Sequence, residues 1–170
     1  MKNNTVVILG TSRPFGNTRK VLDELLLIKT DIDVIDLNDY NIGYFDYEFK
    51  NKDDDFFKLM DKVITYGTII FASPVYWYTM SAQLKTFFDR MSDLLFEGRK
   101  ELGRQLRGKS MAVISCGSDD AISDAFKLPF SESSNYLGML YKGHVHTWVG
   151  QNSIISDEVK NSLKLFVEKI

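Results

Sequence analysis

Apolar residues along this chain follow two alternating rhythms. Short unbroken runs at residues 6–9 (VVIL), 68–72 (TIIFA) and 110–115 (SMAVIS) are bounded by polar or glycine positions. Such runs predict strands covered on both faces, as in a parallel sheet. Residues 31–36 (DIDVID) alternate and predict the second strand in chain order, and residues 144–149 predict a fifth. Between these segments the spacing becomes helical. Val21, Leu22, Leu25, Leu26 and Ile28 predict a helix over 17–29. Phe56, Phe57, Leu59, Met60, Val63 and Ile64 predict another, with Asp53, Asp54 and Asp55 at its positive end. Leu84, Phe87, Phe88, Met91 and Leu95 predict a third over 81–95, and residues 156–170 a last one, with Asp157 and Glu158 in its first turn. Residues 38–51 show no clear period and are expected to be a loop, while 119–140 are only loosely patterned.

Strand and helix thus alternate five times, which predicts an α/β domain with an open, doubly wound, five-stranded parallel sheet between two helical layers. In such sheets ligands sit at the carboxyl ends of the strands, near a switch in strand order. The candidate site loops are therefore 10–18, 73–77 and 117–120. The 170 residues fit a single domain over 1–170, with no repeat, low-complexity tract or linker. Composition adds mainly exclusions. A net charge of -2 gives no field to attract nucleic acid, and one cysteine excludes a disulfide framework, a paired-cysteine redox site and a cysteine-rich metal site. The opening MKNNTVVILG is too short in apolar run for a signal peptide and no stretch approaches a membrane span, so the expected location is cytoplasmic.

The first candidate loop reads Gly10-Thr11-Ser12-Arg13-Pro14-Phe15-Gly16-Asn17-Thr18. It is neither the three-glycine dinucleotide fingerprint nor a Walker A loop, since Asn17 stands where a lysine would follow the glycine. Hydroxyls and backbone N–H groups at a helix start suit one terminal phosphate. Ser12, Asn17 and Thr18 can donate to its oxygens and Arg13 can add a charge-assisted bond. The bland alternative is a plain turn with Asn17 or Thr18 as helix cap. In the second loop, Pro74 holds the chain extended past the strand, and backbone groups of Val75, Tyr76 and Trp77 can meet the polar edge of a planar heterocycle while an aromatic side chain covers its face. Thr79 is the expected cap of the following helix. The alternative there is packing of Tyr76, Trp77 and Tyr78 under a loop or at a subunit interface. Together, a phosphate seat and an aromatic clamp describe a flavin mononucleotide site.

Gly10-Thr11-Ser12-Arg13-x-x-Gly16-Asn17-Thr18, Ser73-Pro74-Val75-Tyr76-Trp77 and Ser81-x-x-Leu84-Lys85-x-Phe87-x-Asp89-Arg90 resemble the NAD(P)H-dependent FMN reductase family, over at least residues 5–115. The resemblance implies a flavodoxin-like fold, with Ser12, Arg13, Asn17 and Thr18 around the FMN phosphate and Gly16 making the turn. It implies that Pro74, Val75, Tyr76 and Trp77 line the isoalloxazine, with Gly117 and Ser118 approaching its polar edge. Lys85 is expected in packing or an interface. The family's third loop is often richer in glycine than Cys116-Gly117-Ser118-Asp119-Asp120, and Asp119 and Asp120 are expected in the first turn of a following helix. The implied activity is hydride transfer from NADPH or NADH through FMN to a quinone, flavin, nitroaromatic or azo acceptor, with no catalytic side-chain acid. A flavodoxin-type electron carrier is the alternative, and a homodimer is the expected assembly. Residues 40–49 (YNIGYFDYEF) are either a lid or an interface patch. His144, His146 and Trp148 share a strand face; without a cysteine or clear carboxylate to complete a metal site, the histidines are expected to be structural or interfacial. Cys116 is expected to be a buried filler, and Arg99, Lys100, Arg104 and Arg107 a solvated face.

Overall fold

Residues 4–96 and 98–170 are described by a computed structural model of the chain. The chain runs through β1 (Thr5–Leu9), α1 (Asn17–Ile28), β2 (Ile32–Asp36), α2 (Phe56–Val63), β3 (Thr68–Pro74) and α3 (Ala82–Arg90). It continues through α4 (Lys100–Arg104), β4 (Ser110–Gly117), α5 (Leu128–Leu137), β5 (Leu140–Trp148) and α6 (Asp157–Val167). The five strands are parallel, in the order β2-β1-β3-β4-β5, which is the flavodoxin-like arrangement.

Side-chain alternation divides the core. Val6, Ile8, Ile69, Phe71, Met111 and Val113 face the layer of α2, α3 and α5. Their neighbours Val7, Leu9, Ile70, Ala72, Ala112 and Ile114 face α1 and α6. A central strand covered on both faces has no polar side, so the runs that look featureless in sequence are the interior strands. From β1 the chain moves outward to β2 and then returns across β1 to β3. That reversal places the loops after β1 and β3 side by side at the carboxyl edge. Among the described residues no helix is long and apolar enough to cross a membrane.

Four segments depart from expectation. Residues 128–137, expected as loose, form α5, whose buried face is narrow: Phe130 and Ser134. Its markers are a proline in the first turn and Gly138 in the left-handed region (φ 69°) just past the end. The third helix is α-helical only through Arg90 and tightens into a 3-10 turn over Met91–Leu95. Within the supposed solvated basic run, Lys100–Arg104 form the short α4, which buries no residue. Finally, β5 begins at Leu140 rather than His144, because a register shift opposite Met111 and Ala112, with Gly143 at φ 109°, breaks the alternation that marks a strand.

Residues 40–55 form no helix or strand, yet Arg90 pins them. Its side chain is 1% exposed and reaches the carbonyls of Gly43 and Asn51, both at 3.1 Å, and the carboxylates of Asp54 and Asp93. Burial opposes the charge, but the bonds to Asp54 and Asp93 overcome it and hold the guanidinium pKa above its ordinary value. Phe45 and Phe49 lie on Phe96, at 6.4 and 4.9 Å between ring centroids. Phe96 follows α3 at the end opposite Ser81, roughly 20 Å away along the helix. The aromatic segment is therefore folded down the flank of α3 and does not cover the carboxyl edge.

Candidate functional site

Gly10 ends β1 where the backbone must pass close to α3: a Cβ there would stand 2.6 Å from the Leu84 Cβ. Its N–H continues the sheet by donating to the Ala72 carbonyl at 2.9 Å. After a turn closed by the Gly16 N–H on the Arg13 carbonyl (3.0 Å), α1 starts with Gly16 as its cap residue and no side chain bonded to the helix end. Neither Asn17 nor Thr18 caps, because both already lie inside the first turn. Thr18 is buried and Asn17 is exposed. The first-turn N–H groups thus keep their donor capacity at the positive end of the helix, an arrangement that favours an anion.

Two serines lock this loop to the next one. Ser81, fully buried, donates its hydroxyl to the Gly10 carbonyl (2.7 Å), and its oxygen accepts the Leu84 N–H (3.2 Å), so Ser81 rather than Thr79 caps α3. The Ser81 N–H donates to the Ser73 hydroxyl at 2.9 Å, and Ser73 donates to the Pro74 carbonyl at 2.8 Å. On the other side Asn38 ties down the Thr11 carbonyl at 2.6 Å. Lys85 pairs with Asp89 along the exposed side of α3, away from these contacts.

Beyond Pro74 the chain makes a tight turn. Tyr76 and Thr79 exchange N–H···O bonds at 2.9 and 3.0 Å, and the two residues between them, Trp77 and Tyr78, both have positive φ (49° and 64°). Asparagine and glycine normally fill such positions, because a side chain there meets its own backbone. The turn carries Trp77 and Tyr78 outward, 92% and 72% exposed. Val75 donates its N–H to the Cys116 carbonyl (2.9 Å), as Tyr76 does to Thr79. The N–H groups of Val75 and Tyr76 are therefore engaged within the protein.

The third loop follows β4 without a helix, so Asp119 and Asp120 do not occupy a helical first turn. Asp119 turns its carboxylate onto its own loop, accepting the Ala121 N–H and the Ser118 hydroxyl, both at 3.0 Å. Asp120 is exposed. Cys116 is 5% exposed, and burial pushes its thiol pKa up.

These loops enclose two adjoining cavities. One, about 250 Å³, is lined by Thr11, Arg13, Gly16, Asn17, Thr18, Pro74, Val75, Tyr76, Cys116, Gly117 and Ser118. The other, about 730 Å³, is lined by Val75, Trp77, Tyr78, Gly117, Ser118, Asp119, Ala121, Ile122 and Ser123. Val75, Gly117 and Ser118 border both. The residues singled out from sequence are brought together here, apart from Ser12, which is exposed beside the first cavity and lines neither. Sequence reasoning missed Thr11, Tyr78 and residues 121–123 as lining; the loop positions of Thr11 and Tyr78 were the available signal, and nothing local marked Ile122. A small polar chamber at a helix start opening into a larger aromatic-walled one can take a planar ligand with an anionic tail.

Comparison with known proteins gives this geometry a context. The sequence pattern of the family described as NADPH-dependent FMN reductase matches residues 3–152. A Bacillus subtilis protein named as a putative NAD(P)H-dependent FMN-containing oxidoreductase, YwqN, is 31% identical over 148 residues, covering 82% of this chain and 81% of that protein. In structure, the chain is similar to the Trp repressor binding protein of Bacillus subtilis, with TM-score 0.75 and 23% identity over 96% of this chain and 97% of that one. It is also similar to an FMN-dependent NADH-azoreductase from Bacillus anthracis solved with FMN, with TM-score 0.67 and 16% identity over 96% of each chain.

Proposed function

This chain belongs to the NADPH-dependent FMN reductase family, and from that premise we propose that it is an FMN-dependent NAD(P)H oxidoreductase acting on small planar acceptors. The observation that carries the proposal is the uncapped start of α1, opening into a chamber that continues under Trp77 and Tyr78. The residues present fit FMN. Arg13 and the hydroxyl of Thr11, with the first-turn N–H groups of Asn17 and Thr18, suit the phosphate, while Gly16 makes the approach. Ser12 stands exposed at the rim beside this seat. Pro74, Val75 and Tyr76 form one wall for the ring system and Gly117 and Ser118 the other, with Trp77 and Tyr78 beside its open face.

FMN held by these residues would supply the redox chemistry, hydride transfer from NADPH or NADH to a quinone, free flavin, nitroaromatic or azo compound. The protein's part is binding and orientation, which accords with the lack of any need for a catalytic side-chain acid. Exposed aromatics at Trp77 and Tyr78 offer stacking area to successive planar partners and narrow water's access to the ring. The proposal includes a homodimer. Its support is an apolar groove of about 550 Å³ between Phe88, Met91 and Leu95 on one side and Tyr136 and Leu137 on the other.

The test is the visible spectrum of protein mixed with FMN and passed through gel filtration, followed by anaerobic titration with NADPH and then NADH. Retained yellow colour bleached by one equivalent of either nucleotide is expected, and the elution volume reads the assembly. Colour that neither nucleotide bleaches would replace the reductase with an electron carrier. Colourless protein would overturn the flavin reading.

A further inference from the structure

Ser115, His144 and His146 form a hydrogen-bonded relay beneath the third loop. Register pairs Ser115 with His146 and Val113 with His144, which puts the three side chains on one face of the sheet. Ser115 is fully buried, and its Oγ lies 2.7 Å from His144 Nε2 and 2.7 Å from His146 Nδ1. On the far side of its ring, His146 Nε2 is 3.0 Å from the Asp119 carbonyl oxygen.

Only one proton arrangement satisfies the neutral set. A carbonyl accepts and never donates, so His146 Nε2 carries the proton and its Nδ1 accepts. The Ser115 hydroxyl must then donate to His146 Nδ1, and its oxygen accepts from His144 Nε2–H. His144 is suited to this end of the relay, because burial, aided by the neighbouring His146 and Lys127, pushes its pKa down to about 4 and keeps it neutral. Phe126 flanks the His144 ring at 5.5 Å and Trp148 the His146 ring at 6.2 Å. The His146 ring also stands directly behind the cavity wall: a Cβ on Gly117 would come within 2.9 Å of its Cε1 and 3.1 Å of its Nε2.

We propose that His146 is a positioning residue of the flavin site, holding residues 117–119 against the ring system through its Nε2–H on the Asp119 carbonyl and its contact with Gly117. This assignment rests on the flavin reading above. Ser115 and His144 act one step further back, by fixing the tautomer of His146. The interaction explains why residue 117 is glycine although no positive φ demands it there: the imidazole occupies the space of a side chain.

The test compares wild type with His146→Phe and His146→Gln by FMN fluorescence titration and by the visible spectrum of the bound flavin. Loss of one loop anchor should raise Kd about tenfold in His146→Phe and shift the flavin bands, while His146→Gln, whose amide can donate to the same carbonyl, should recover most of both. An unchanged His146→Phe overturns the proposal, and so does equal loss in both variants, which marks packing alone. Should either variant fail to fold, long-range 1H–15N correlation on the wild-type imidazoles decides. Protons on Nε2 of both rings are expected, and a proton on His146 Nδ1 alone overturns the relay. A wild type that binds no FMN sinks the flavin reading and this proposal together, whereas a flavin-binding wild type with an indifferent His146→Phe sinks this proposal alone.

Discussion

Trp77 and Tyr78 hold backbone conformations that cost a non-glycine residue about 1 kcal/mol or more each. With side chains 92% and 72% exposed, burial returns little of that cost. The turn persists because Tyr76 and Thr79 bond across it and Pro74 fixes its entry. Strain kept at a mouth lined by aromatics is the pattern of a functional position, and it separates stability from binding. Tyr78→Gly is expected to raise the stability of the flavin-free protein by about 1 kcal/mol and to weaken FMN binding. Thermal melting and FMN titration of the same variant read the two effects, and a variant that melts lower and binds unchanged would refute both expectations. The chemistry of these side chains was legible in the sequence. Their backbone was not, since nothing local distinguishes Trp-Tyr in a strained turn from Trp-Tyr in a core.

At the scale of elements, the two ends of α3 serve different ends. Its start carries Ser81, which joins the first and second site loops; its finish carries Arg90, which gathers residues 43–54 around a buried charge. Arg90→Met strands Asp54 and Asp93 as buried carboxylates and is expected to cost about 3–5 kcal/mol. Urea denaturation should show it, together with faster proteolysis within residues 44–52, and a loss under about 1 kcal/mol would contradict the pinning role. Helical spacing identified α1, α2, α3 and α6, each of which presents a broad apolar stripe. It failed for α5 because only Phe130 and Ser134 are buried, residues 131–135 are serine, glutamate and asparagine, and the apolar Leu128 and Tyr136 face outward. Such a helix is held by its Gly138 end and by the strands it connects rather than by amphipathicity.

For the molecule as a whole, His144 makes stability depend on pH. Its pKa is about 4 in the fold against an ordinary 6.5, so as pH falls the unfolded chain takes up the proton first. The contribution is fully present above about pH 6.5, declines as pH drops below it and is spent near pH 4. Between about pH 7.5 and pH 5 this amounts to at most about 2 kcal/mol, reduced by the ring's partial exposure. Urea midpoints at the two pH values should show a smaller difference in His144→Gln than in wild type; an equal difference would assign the acid sensitivity elsewhere.

The sequence by itself determined the layer architecture and pointed to the loops of the candidate site. Period and apolar run length are consequences of burial on one face or two, and the loops after parallel strands carry their own chemistry in hydroxyls, glycine and aromatics. Tertiary structure alone decided what depends on distance between remote segments. Strand order set Gly10 beside Ser81, register stacked Ser115 between His144 and His146, and a buried arginine drew residues 43–54 down the flank of α3. No local pattern encodes these contacts, because each partner is ordinary in its own neighbourhood and acquires its role only when folding removes water from between them.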